Sequence, residues 1–187
     1  MRIVAGRHRG REIAAPEGFD VRPTSDRARQ ALFNILEHGR FAASGSPFAG
    51  QRVLDAFAGT GALGLEALSR GAAEAVFMET APAARQALAA NIKRLGEGER
   101  CQVLAADATA PPRAVSPCAV AFLDPPYRSG LGTVALAALA GRGWLLPGAL
   151  AVLEVAAREE VETPAGFVIE EERVYGAARL VFLRRIG

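Results

Sequence analysis

Val53-Leu54-Asp55-Ala56-Phe57-Ala58-Gly59-Thr60-Gly61-Ala62-Leu63-Gly64 reads as a buried strand, a glycine turn and the start of a helix. Gly59 and Gly61 permit a tight turn and close approach of a ligand, and the helix N-terminus offers backbone amides to an anionic group. Downstream, short apolar runs alternate with helix-like segments, the pattern of a parallel sheet covered on both faces. Strands are expected at 52–56, 75–79, 102–105, 120–123 and 150–154, with helices at 62–70, 82–95 and 133–141. Residues 109–117 are too rich in proline to assign. Runs at 167–174 and 179–183 flank Tyr175-Gly176 and predict a closing antiparallel pair. The expected class is α/β, with a Rossmann-like, mostly parallel seven-stranded sheet and helices on both faces.

Upstream, extended runs at 3–6 and 11–13 surround an Arg-rich turn and predict a small hairpin. A connector with Pro16, Gly18 and Pro23 follows. Thr24 or Ser25 caps a helix that carries Ala28, Ala31, Leu32, Ile35 and Leu36 on one face and stops at Gly39; 41–50 is expected to be a loop. This divides the chain into an extension, 1–40, and a main domain, 41–187. A chain of 187 residues, 50% hydrophobic, supports one well-buried domain with a small appendage.

No apolar stretch approaches the roughly 18 residues of a membrane span, and Arg2, Arg7 and Arg9 within the first ten residues do not form a signal peptide. Cys101, Cys118, His8 and His38 have no metal-ligand spacing, so no metal is expected. Two free thiols suit a reducing, cytoplasmic location. Net charge is +2 but unevenly placed: residues 1–11 hold four arginines and no acid, whereas 154–172 hold seven glutamates.

Two acids strengthen the case for a ligand at the glycine turn. Glu79 ends the second strand of the repeating unit, where a carboxylate accepts hydrogen bonds from ribose hydroxyls; Asp107 follows the third, within reach of an adenine amino group. An NAD site would use similar geometry. Asp55 separates the two cofactors, because a carboxylate at the strand end repels a pyrophosphate but receives the ammonium of a methionine moiety. That favours S-adenosylmethionine.

The most specific signal is Asp124-Pro125-Pro126-Tyr127, at the end of the fourth strand. Pro125 and Pro126 have no amide hydrogens, so the loop presents acceptors in a rigid array. Asp124 and the Pro125 carbonyl can each take one hydrogen of an exocyclic base amine, stabilising positive charge as it grows on nitrogen. Tyr127 can stack on the base. The sulfonium is already a good leaving group, so positioning supplies much of the rate.

With these motifs in this order the chain resembles class I amino-methyltransferases. Met1-Arg2-Ile3-Val4-Ala5-Gly6 with Arg9-Gly10-Arg11, Arg22-Pro23-Thr24-Ser25-Asp26-Arg27, Phe33-Asn34-Ile35-Leu36, the glycine loop and Glu66-Ala67-Leu68-Ser69-Arg70-Gly71-Ala72 are similar to the bacterial small-subunit rRNA guanine-N2 methyltransferase family, RsmD. The resemblance covers nearly the whole chain. It implies N2-methylation of one guanine in 16S rRNA within the assembled or nearly assembled 30S particle. It also implies a target-base site at 124–127 and a cofactor site that includes Gly59, Gly61, Glu79 and Asp107. Gln30 departs from the Glu usual in the family.

From the residues alone, Arg7, His8, Arg9 and Arg11 are candidate phosphate contacts. No separate target-recognition domain is visible, which favours a structured RNA read by shape and a base that is unpaired or flipped out. The alternatives are a DNA adenine or cytosine amino-methyltransferase and, outside methyl transfer, an NAD-binding oxidoreductase. Protein glutamine methyltransferases also resemble the chain but typically carry Asn at the position of Asp124.

Overall fold

The fold is that of a computed structural model describing residues 1–15 and 26–187, the side chains of Asp26 and Arg27 excepted. The expected cap at Thr24 or Ser25 lies outside the described residues. In chain order the elements are α1 (Asp26–His38), β1 (Arg52–Asp55), α2 (Ala62–Ser69), β2 (Glu74–Met78), α3 (Pro82–Leu95), β3 (Cys101–Leu104), β4 (Cys118–Leu123), α4 (Leu131–Gly141), β5 (Leu145–Ala156), β6 (Phe167–Tyr175) and β7 (Ala178–Arg185). Short 3-10 turns occupy Arg40–Ala42 and Gly98–Arg100. The strands form one seven-stranded sheet in the order β3-β2-β1-β4-β5-β7-β6. β1 to β5 pair in parallel, and β7 runs antiparallel to both β5 and β6.

Strand alternation sends successive side chains to opposite faces, and both faces are apolar. Val53, Phe77, Val120, Phe122, Val152 and Phe182 pack under α1, α2 and α3. Leu54, Val76, Ala121, Leu123, Leu153 and Val181 face the other way, where α4 contributes Leu136 and Leu139. The cover there is completed by the proline-rich segment after β3, pinned by Trp144 Nε1 donating to Pro112 O at 2.8 Å. Among the described residues no helix is long and apolar enough to cross a membrane.

The N-terminal hairpin is shorter in regular pairing than expected. Only Arg2 and Glu12 form a bridge, although Gly10 N donates to Ile3 O at 2.8 Å and Ile13 N to Met1 O at 2.9 Å. Its strands are too brief for a ladder, and it is held instead by docking. Ile3 and Ile13 share one core with Leu32, Phe33, Val53 and Leu68, so the extension packs as part of the sheet's cover. At its turn Gly6 presses on α2, where a Cβ would come within 1.9 Å of Ser69 O.

A buried ion network fastens this arrangement. Glu66, fully buried in α2, accepts from Val4 N at 2.8 Å, Ala5 N at 3.0 Å and Arg70 Nε at 2.7 Å. It also lies 3.5 Å from Arg29 Nε. Arg70 reaches on to Glu37 at 2.6 Å and lies over the Phe33 ring.

Candidate active site

The sheet order reverses between β1 and β4, and ligands in open parallel sheets bind beyond the carboxyl ends of the strands at such a point. A cleft of about 1160 Å³ lies there, lined by residues from the β1, β2, β3 and β4 exits and the end of β5. That volume exceeds the range of a single small-ligand pocket, roughly 300–1,000 Å³, and leaves space for two ligands side by side.

The two glycines of the turn differ in task. Gly59 (φ 53°) lines the cleft, and a side chain there would meet nothing within 4 Å. Gly61 (φ 84°) is not among the lining residues; a Cβ would come within 2.3 Å of Leu88 Cδ1. The missing side chain of Gly61 lets the loop pack on α3.

Asp55 is buried, and its Oδ2 accepts from Gly64 N at 2.9 Å, capping the first turn of α2. Burial pushes this carboxyl up to about 8, the Gly64 amide offsets part of the rise, and nearby Asp124 and Glu79 add to it. Such a group favours a cationic neighbour. Glu79 ties the loops together: its two oxygens accept from Gly59 N at 2.8 Å and Ala81 N at 2.7 Å. Asp107 is exposed at the cleft's edge and accepts from Thr109 N and Oγ1 at 2.8 and 2.7 Å. Those bonds hold its carboxyl below the usual carboxylate range.

Asp124, Pro125, Pro126 and Tyr127 all line the cleft, with Pro125 buried and Asp124 and Tyr127 half-buried. Pro126 O accepts from Ser129 Oγ at 2.6 Å, which braces the loop. The Tyr127 hydroxyl donates to Glu154 Oε1 at 2.7 Å. Leu123 pairs with Leu153 across β4 and β5, so Asp124, just past the end of β4, has Glu154, near the end of β5, as its neighbour on the adjacent strand. Glu154 and the buried Arg29 both line the cleft and were not singled out in the sequence. Glu154 did carry a signal, since it interrupts an apolar run just as Asp124 does. Arg29 carried none within its helix. Gln30 bonds its i+4 neighbour, Nε2 donating to Asn34 Oδ1 at 2.6 Å.

Met1 of the hairpin lines the cleft, but the arginine-rich turn lies elsewhere. That turn docks at the C-terminal end of α2, about 12 Å of helix away from the glycine loop. His8 is turned inward: its backbone amide donates to Ser69 Oγ at 3.0 Å and its Nε2 meets the buried Glu97. The reading of His8 as a surface phosphate contact is corrected accordingly. Arg7 also pairs with Glu97 but stays half-exposed, and Arg9 and Arg11 are exposed.

This sheet order, with a glycine turn and carboxylates at consecutive strand ends, defines the chain as a class I, Rossmann-like methyltransferase. It belongs to the family described as Conserved hypothetical protein 95, whose model matches residues 1–184, the RsmD family of methyltransferases. The ribosomal RNA small subunit methyltransferase D of Escherichia coli K12 is 36% identical over 177 residues, covering 94% of this chain and 85% of that protein. A putative rRNA methyltransferase of Bacillus subtilis, YlbH, is 36% identical over 132 residues, 68% of this chain and 67% of that one. Among solved structures, the putative methyltransferase yhhF from Escherichia coli has a TM-score of 0.83 at 35% identity, covering 100% of this chain and 98% of that one. An RNA methyltransferase from Salinibacter ruber, solved in complex with S-adenosyl-L-homocysteine, shares the fold with a TM-score of 0.66 at 13% identity, covering 88% and 94%.

Proposed function

We propose that the chain transfers a methyl group from S-adenosylmethionine to the exocyclic N2 amine of a guanine in 16S rRNA, in the cytoplasm, with the 30S particle as substrate. The observation that carries this is Asp124-Pro125-Pro126-Tyr127 lining the same cleft as the glycine loop. The similarity to small-subunit rRNA methyltransferases supports the substrate class. S-adenosylmethionine supplies an activated methyl group when bound. Asp55 receives its ammonium, Gly59 leaves space beside the loop, and Glu79 and Asp107 accept from the ribose and adenine. Asp124 and the Pro125 carbonyl accept the amine hydrogens, while Tyr127, steadied through Glu154, stacks on the base. Arg7, Arg9 and Arg11 are proposed as outlying phosphate contacts, and residues 1–40 as the extension that carries them.

The test is to offer methyl-labelled S-adenosylmethionine with unmethylated 30S particles, naked 16S rRNA and duplex DNA in parallel. Label in the particles is expected. Label confined to DNA would overturn the substrate, and label in none of the three would overturn the activity.

Asp55 makes cofactor binding pH-dependent. With its carboxyl raised to about 8, it is mostly protonated at neutral pH in the free protein. An ammonium beside it favours the carboxylate, so binding expels a proton and affinity rises with pH until about 8, by up to about tenfold per unit. Calorimetry of S-adenosylhomocysteine at pH 7, in two buffers of different ionisation enthalpy, should register release of most of one proton by the wild type and none by Asp55→Asn. Equal apparent enthalpies for the wild type would contradict the role. By the same linkage the folded chain binds the extra proton between 3.8 and about 8, so Asp55 makes the free protein less stable as pH rises through that window.

A further inference from the structure

Arg128 follows Tyr127 directly and is the one described residue other than glycine with a left-handed backbone, at φ 58°. Every other described residue with positive φ is a glycine, including Gly130 two positions on, which caps α4. The Cβ of an L residue is crowded in this conformation, and such strain persists where the surroundings over-determine it, often at functional sites. Here the surroundings do so through the backbone. Arg128 N donates to Glu159 Oε2 at 2.8 Å, the same oxygen accepts from Ala156 N at 3.1 Å, and Ser129 Oγ donates to Pro126 O at 2.6 Å. Glycine would make the same bonds without strain. What glycine would lack is the guanidinium.

That side chain is exposed at the rim of the cleft that Asp124 and Tyr127 line. Its guanidinium has no carboxylate partner among the described residues, whereas Arg29, Arg70 and Arg100 are tied to Glu66 or Glu97. The cleft itself is rich in acidic side chains besides Asp55: Glu79, Asp107, Asp124 and Glu154. A polyanionic strand meets repulsion there unless a cation stands at the entrance. A base that has left its stack sits inside such a pocket while the phosphates on either side of its sugar stay at the rim. A planar guanidinium is suited to grip one of them with paired hydrogen bonds.

We propose that Arg128 is a substrate-binding residue that holds a phosphate flanking the target nucleotide, and that the strained backbone is retained to present it. This rests on the reading of the chain as an RNA methyltransferase. The test compares wild type, Arg128→Gly and Arg128→Lys for melting temperature, S-adenosylhomocysteine affinity, and methyl transfer to unmethylated 30S particles across a salt series. Arg128→Gly should melt at or above wild type and bind the cofactor product equally well. Its KM for the particles should rise about tenfold, the change one charge-assisted contact carries, with the effect in KM rather than kcat. Its dependence of log KM on log salt should fall by about one phosphate contact. Arg128→Lys should recover the salt dependence but only part of the affinity. An unchanged KM and salt slope in Arg128→Gly, or a lowered melting temperature with an unchanged slope, would overturn the proposal. Failure of the wild type to label any RNA would instead overturn the reading beneath it, and the proposal with it.

Discussion

Asp124→Ala is expected to lower turnover by about 10²–10³-fold, the scale of removing one pre-aligned group that meets developing charge, while S-adenosylhomocysteine affinity stays within a few-fold of wild type. The asymmetry comes from the site's layout. Asp124 leaves β4, whereas the groups assigned to the cofactor leave β1, β2 and β3. Its charge also raises the Asp55 carboxyl, so removing it makes Asp55 easier to ionise and does not penalise an ammonium there. Asp124→Asn keeps one acceptor oxygen and should fall between the two. Single-turnover rates paired with calorimetry check this. Turnover within about threefold of wild type, or a parallel loss of cofactor affinity, would count against the base-site role.

The largest expected loss of stability is at Glu66. Replacement by Ala leaves Arg29 and Arg70, at 0% and 3% side-chain exposure, without their shared carboxylate. It also leaves the Val4 and Ala5 amides without their acceptor. Breaking a buried ion pair from one side costs about 3–5 kcal/mol, and at about 2–4 °C per kcal/mol for a chain of this size the melting temperature should fall by roughly 6–20 °C. Because the network joins hairpin, α1 and α2, the hairpin's amides should also lose hydrogen-exchange protection before the sheet does. A shift under about 2 °C would mean that the network is dispensable.

The sheet was legible in the sequence where strands are buried on both faces and punctuated by turn residues. α3 matches its predicted span because Pro82 starts it and Gly96, in a left-handed conformation, ends it. β5 is longer than its sequence pattern indicates: Pro147-Gly148 looks like a turn, yet the strand runs through it from Leu145, with a register shift against β4 that absorbs the irregularity. The buried acids were the least legible part of the packing. Glu66 and Glu97 resemble solvated helix and loop residues, and only the three-dimensional meeting of hairpin, α2 and α3 makes them ion-pair centres. For Glu66 a cue existed, since α2 is apolar almost all round and such a helix is buried. The motifs identified the strand-end acids, but periodicity could not show that Gly61 packs inward while Gly59 faces the cleft. Nor could spacing separate the inward His8 from the exposed Arg9, since the docking of that turn on Ser69 and Glu97 joins residues 61 and 89 apart in the chain.

The methylated group is identified by incubating the protein and S-adenosylmethionine carrying an isotopic methyl group with unmethylated 30S particles, digesting the 16S rRNA to nucleosides and weighing them by mass spectrometry. The isotopic methyl is expected in N2-methylguanosine and absent when Asp124→Ala replaces the wild type. The same label in a methylated adenosine or cytidine, or in no nucleoside while S-adenosylmethionine is consumed, would rule out guanine N2 as the target.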